Sequence, residues 1–191
     1  MSAAERRLEI LNAVRVLASE EGAYGVTIAR VAKRAGVPKS VVLYHFRTRD
    51  TLLKCALEAW LEPLQTRIDE IFEQRALDPR DQLGAWLAVH FEGDLEGWRM
   101  IGQLSLDAPT RPVAQVAADF ERWEEDGLAR LLSRGHKQLA WRAPRPRATA
   151  AVIRALVEGL ILRCARAGEP AALANAHRTA RQVILDLLVR A

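Results

Sequence analysis

Lys39, Ser40 and Val41 stand in a row at the start of a short predicted helix, and each can meet a base pair differently. An ammonium donates to guanine acceptors or phosphate, a hydroxyl bonds base edges or phosphate, and a branched alkyl group touches a thymine methyl. Leu43, Tyr44 and His45 complete the outward surface of that helix. Thr27, Tyr44, His45 and Arg49 fall at helix ends or edges suited to phosphate oxygens, contacts that set register rather than sequence.

Other chemistries find little support. The chain has no GxSxG, Walker A or HExxH motif and no paired catalytic carboxylates, so no catalytic residue is assigned. His90, His136 and His177 are isolated from one another and from Glu or Cys at ligand spacing, and read as structural; no metal and no cofactor is expected. Cys55 and Cys164 lie far apart without a CxxC, which fits buried thiols in a reducing compartment. Trp86, His90, Phe91, Trp98, Gln103, Phe120 and Trp123 are candidates for lining a small-molecule pocket, with plain core filling as the alternative for each. The acidic run Glu121, Glu124, Glu125 and Asp126 reads as a solvated face and receives no role.

The elements that position these residues are helices. Apolar Ile10, Ala13, Val14, Leu17 and Ala18 predict a first helix over 3–21, and Thr27 caps a second over 28–34 that ends at Gly36. Pro38 suits the first position of a third, running to Phe46. Ala32 is the small residue that lets two helices approach, Gly36 tolerates positive φ in the turn, and Ile28, Val31, Val37 and Val42 give the buried face: the requirements of a helix-turn-helix. Thr48 caps a long fourth helix with a kink or break expected near Pro63. Further helices are predicted over 80–92, 94–106, 111–134, 147–167 and 171–190, punctuated by Gly93, Pro109, Pro112, Pro144 and Gly168, with Arg134 to Arg147 as an exposed loop. The expectation is all-α: about nine helices, a helix-turn-helix DNA-binding domain over 1–47, and a larger helical domain over 48–191 whose helix over 48–75 is the connector and to which the resemblance described below implies effector binding and dimerisation.

Composition agrees. Half of the 191 residues are hydrophobic and 6% aromatic, against disorder and against an all-β fold. No apolar stretch is long enough for a membrane span and no secretory signal is visible, so the expected location is cytoplasmic. Residues 1–50 carry nine Lys or Arg against five acids, while the rest balances at 19 of each; the whole net charge of +4 lies in the first quarter, an arrangement that attracts polyanions.

The run TIARVAKRAGVPKSVVLYHFRTRDTLL from Thr27 to Leu53 resembles the signature that closes the DNA-binding domain of the tetracycline-repressor (TetR) family, departing from it at Pro38 and Ser40. More weakly, ALVEGLILR from Ala155 to Arg163 is similar to a segment of that family's choline-sensing branch. The resemblance implies that Lys39, Ser40 and Val41 contact bases, with Thr27, Leu43, Tyr44, His45 and Arg49 at the DNA surface. It also implies a repressor that binds a palindromic double-stranded operator as a homodimer through the helices near 147–167 and 171–190, and that a small-molecule effector releases. The alternatives are a helical interaction adaptor, or a small-molecule-binding protein without specific DNA binding; an enzyme is not expected.

Overall fold

The computed structural model describes residues 2–92, 95–107, 110–168 and 170–190. Nine α-helices and one π-helical turn run through them, with no strand among the described residues. In chain order these are α1 (Ala3–Gly25), α2 (Ile28–Arg34), α3 (Lys39–Phe46), α4 (Arg49–Glu73), α5 (Pro79–Phe91), α6 (Leu95–Gly102), the π turn (Gln103–Asp107), α7 (Arg111–Lys137), α8 (Pro146–Ala167) and α9 (Pro170–Arg190). Two compact units emerge: 1–63 with 96–119, and 64–95 with 120–191. The expected breaks at Gly93 and Pro109, and the expected helix start at Asp94, lie outside the described residues.

In the first unit, α1 opens with a capping box between Ser2 and Glu5 and buries Ile10, Val14, Leu17 and Ala18. It outruns its predicted end because Gly22, at φ 75° and ψ 178°, interrupts the helix and lets it resume to Gly25. Only glycine occupies that region readily. The side chain of Gln103 lies 2.8 Å from where a Cβ on Gly22 would sit. Glu96 of α6 pairs with Arg15 at 3.0 Å and accepts from Ser19 at 3.4 Å, so α6 and the π turn are held along α1.

Pro38 is the N-cap of α3 rather than its first residue: its ψ of 148° is extended, and it offers no side-chain cap. Thr48 caps α4 as expected, accepting from the Thr51 amide at 3.1 Å. Of the kink or break expected near Pro63, the break does not occur; α4 runs through Pro63 as one helix. Of the expected buried face, Val31 and Val42 are buried, while Ile28 and Val37 are half-buried.

In the second unit α8 and α9 pack on each other and on α5, burying Ile153, Val157, Ile161, Ala180, Ile184 and Leu188. The segment expected as an exposed loop over 134–147 is in large part structured. Here α7 continues to Lys137, and Trp141 and Ala143 are buried. The indole of Trp141 donates to the Leu132 carbonyl at 2.9 Å, and the Arg142 amide donates to Leu188 at 2.9 Å. A buried Trp in a basic stretch is what the sequence reading undervalued.

Candidate functional site

The turn between α2 and α3 decides what α3 presents. Gly36 takes φ 64°, the Val37 amide donates to Ala32 and the Gly36 amide to Lys33: a Schellman termination with glycine at its left-handed position. It turns Val42 and Phe46 inward, where they are buried, and leaves Lys39, Ser40, Leu43 and Tyr44 exposed, Tyr44 at 82%. Val41 and His45 are half-buried at the edge of the same face, and the Tyr44 ring meets His45 edge-on at 5.3 Å. Thr27 caps α2, accepting from the Arg30 amide at 3.3 Å, and stays exposed. Of the expected base-reading residues, Lys39 and Ser40 are thus exposed on α3 and Val41 is half-buried.

Arg49 is placed differently. Its Nε donates to the Val26 carbonyl at 2.6 Å and a terminal nitrogen donates to Ala23, tying the start of α4 to the end of α1. Most other cations of the first fifty residues are also engaged. Arg6 pairs with Glu9, Arg15 with Glu96, Arg30 with Glu21 and Arg34 with Glu20, while Arg7 lies over the Phe46 ring at 4.7 Å. Among the described residues, Lys33, Lys39 and Arg47 have no ionic or hydrogen-bonded side-chain partner, and all three are exposed. They sit at the end of α2 and at both ends of α3, so the free charge brackets α3. Lys33 and Arg47 were missed from sequence, where nine cations look alike; only their partners tell them apart.

The candidate pocket residues divide between the two units. Trp98 and Gln103 belong to the first, Trp98 buried edge-on against Trp60 with centroids 4.9 Å apart. Trp86, His90, Phe91, Phe120 and Trp123 belong to the second. There Phe91 stacks on His177 and Phe120 lies 5.4 Å from Trp123. Trp86 is fully buried, and its indole donates to Glu124 at 3.1 Å.

Glu124, assigned to a solvated face from sequence, is instead the buried centre of this unit's polar cluster. It faces His90 Nε2 at 2.7 Å, and Arg154 Nε lies 3.7 Å from its other oxygen. Arg154, itself buried, reaches Glu121 at 3.2 Å and Glu158 at 2.9 Å. His90 Nδ1 faces the Trp86 carbonyl at 2.9 Å, so both ring nitrogens meet acceptors and only the imidazolium satisfies both. Burial opposes that charge, but the carboxylate of Glu124 and its hydrogen bond outweigh it and raise the His90 pKa. Burial likewise opposes the Glu124 carboxylate, which the His90 and Arg154 charges and the Trp86 bond hold below its usual range. At Glu158 burial prevails, helped by Glu121 and Glu124 against Arg154, and its pKa rises. The signal that could have found Glu124 is modest: Trp86 and His90, four apart, present two donors to one point, which calls for an acceptor from another helix.

Comparison with known proteins agrees with this geometry. Residues 10–56 match the family model of bacterial regulatory proteins, tetR family, covering most of α1, all of α2 and α3, and the start of α4. The HTH-type transcriptional regulator BetI of Paraburkholderia xenovorans is 28% identical over 192 residues, spanning 96% of this chain and 93% of that protein. BetI of Burkholderia mallei is 29% identical over 191 residues, with the same coverage. A transcriptional regulator from Rhodococcus sp. Rha1, of known crystal structure, superposes with a TM-score of 0.76 at 25% identity, over 94% of this chain and 96% of that one. The signature around Gly36 and the full-length similarity thus converge: residues 10–56 carry the helix-turn-helix segment of the tetR-family model, and the chain as a whole is similar to HTH-type transcriptional regulators.

Proposed function

We propose that this regulator is a repressor that binds a palindromic operator as a homodimer and is released by a small-molecule effector. Residues 1–47 read the DNA; residues 48–191 bind the effector and form the dimer, with the helix over 48–75 as connector. Lys39, Ser40 and Val41 contact bases; Thr27, Leu43, Tyr44 and His45 lie against the backbone, joined by Lys33 and Arg47. Arg49 acts by holding the reading helices to α1, with any phosphate contact secondary. The observation that carries this reading is the exposed surface of α3 between unpartnered Lys39 and Arg47, backed by buried Val42 and Phe46.

The effector site lies around Trp86, His90, Phe91, Phe120 and Trp123, where aromatic surface meets the charges of Glu124 and Arg154. Dimerisation uses the outward faces of α8 and α9, where Val152, Val183 and Leu187 are exposed. Among the described residues no helix is long and apolar enough to cross a membrane, which accords with work in the cytoplasm on DNA.

The test is selection of bound duplexes from a random pool by the full-length protein at physiological salt. An inverted repeat with half-sites about one helical turn apart is expected. Lys39→Ala and Tyr44→Ala should each weaken binding to that site by about 1–3 kcal/mol without altering the circular dichroism spectrum. Sequence-blind binding, or none, would overturn the reading in favour of an adaptor or a ligand-binding protein.

A further inference from the structure

From Gly127 to Val157 the chain carries seven Lys or Arg and no Asp or Glu. Part of this run borders a groove of about 650 Å³ in the second unit, lined by Asp126, Ala129, Arg130, Ser133, Arg145, Pro146, Arg147 and Ala148. That volume is within the range that holds small ligands. The apolar lining is Ala129, Pro146 and Ala148; the polar groups are three guanidiniums, the Ser133 hydroxyl and one carboxylate. Arg130 and Arg145 are exposed and, among the described residues, have no side-chain hydrogen bond or ion pair. Among the described residues Arg147 pairs only with Asp126, at 3.2 Å, with its side chain 85% exposed, an arrangement that solvent renders weak and exchangeable.

We propose that this groove binds a phosphate monoester carrying a small apolar group. The lining sums to two positive charges, three arginines less Asp126, matching the charge of a phosphate monoester above its second pKa of about 6. Arginine's planar fork suits phosphate oxygens, and Arg130 approaches from α7 while Arg145 and Arg147 approach from the start of α8. Arg147 exchanges Asp126 for the phosphate, Ser133 donates its hydroxyl, and the organic part rests against the alanines and proline of the lining. Guanidiniums beside an apolar lining in one groove suit a phosphate that carries an organic part, and the duplex-DNA control below separates that ligand from a nucleic-acid contact. The site is separate from the Trp86 and Glu124 cluster and stands whether or not that cluster holds the effector.

Phenyl phosphate is a suitable probe, titrated calorimetrically into the full-length protein, with phenol as the neutral control. Binding is expected for phenyl phosphate and not for phenol, and it should weaken as pH falls below about 6. Replacing both Arg130 and Arg145 with Ala should lower the affinity about ten-fold or more, with the melting temperature unchanged because neither side chain has a partner to lose. Lys39→Ala, on the DNA-reading helix, should leave it unchanged. Equal affinity in the double variant, or no wild-type binding tighter than about 1 mM, would overturn the proposal. So would a double variant that loses affinity for duplex DNA, which would make the basic surface a nucleic-acid contact.

Discussion

His90 satisfies its two acceptors only when it carries a proton on each nitrogen, and this makes stability depend on pH in a defined sense. Its pKa is raised above 6.5, so the stabilisation it supplies is complete below that value and is lost as pH rises through the folded-state pKa. Glu124 is lowered below 4.5, so its share is present above that value and is lost as pH falls through its own folded-state pKa. Urea unfolding of wild type and His90→Gln should therefore show a stability gap that narrows from neutral to alkaline pH; a constant gap would mean a neutral imidazole. Glu124→Gln leaves the buried His90 imidazolium without its carboxylate and should destabilise by about 3–5 kcal/mol. Leu139 shows the opposite case. It occupies the left-handed position of a Schellman termination of α7 at φ 58°, with its side chain 88% exposed. Leu139→Gly should stabilise by about 1 kcal/mol, read as a higher urea midpoint, since it relieves strain and gives up almost no packing.

Helix ends carry the information that was most legible from sequence. Thr27, Gly36 and Thr48 act through bonds to residues within four positions, so their meaning is local, and α2 ends where the sequence reading put it. The end of α1 was not legible because Gly22 serves two masters: an unusual backbone and the nearness of Gln103, 81 positions away in the chain. For the same reason the burial of Glu124 escaped detection, since its partners Trp86 and His90 come from a separate stretch. Gly22→Ala should cost about 1–3 kcal/mol in unfolding free energy, and Gln103→Ala in the same chain should recover only the steric part. At Gly36 a Cβ meets nothing, so Gly36→Ala should cost only the conformational strain, about 1–2 kcal/mol by urea unfolding.

At the scale of the molecule, the distribution of charge bears on DNA binding, and the proposed homodimer can be tested directly. With six of the nine early cations committed to partners inside the chain, the salt dependence of operator binding should be shallower than the count of basic residues suggests. Lys39→Ala should reduce the slope of that dependence by about 1 for each phosphate the ammonium neutralises in the wild type. Val183→Glu combined with Leu187→Glu should give a monomer in sedimentation experiments and a large drop in operator affinity; a persisting dimer would place the interface elsewhere. The tie from Arg49 to the carbonyls of Ala23 and Val26 has a further consequence. The eight residues of α3 are too few to hold a helix in water, so their shape is borrowed from the turn at Gly36 on one side and the anchored start of α4 on the other. A synthetic peptide of Lys39 to Phe46 would thus be a disordered chain, and transplanting this protein's operator preference onto another scaffold means moving the whole segment from α1 to the first turn of α4.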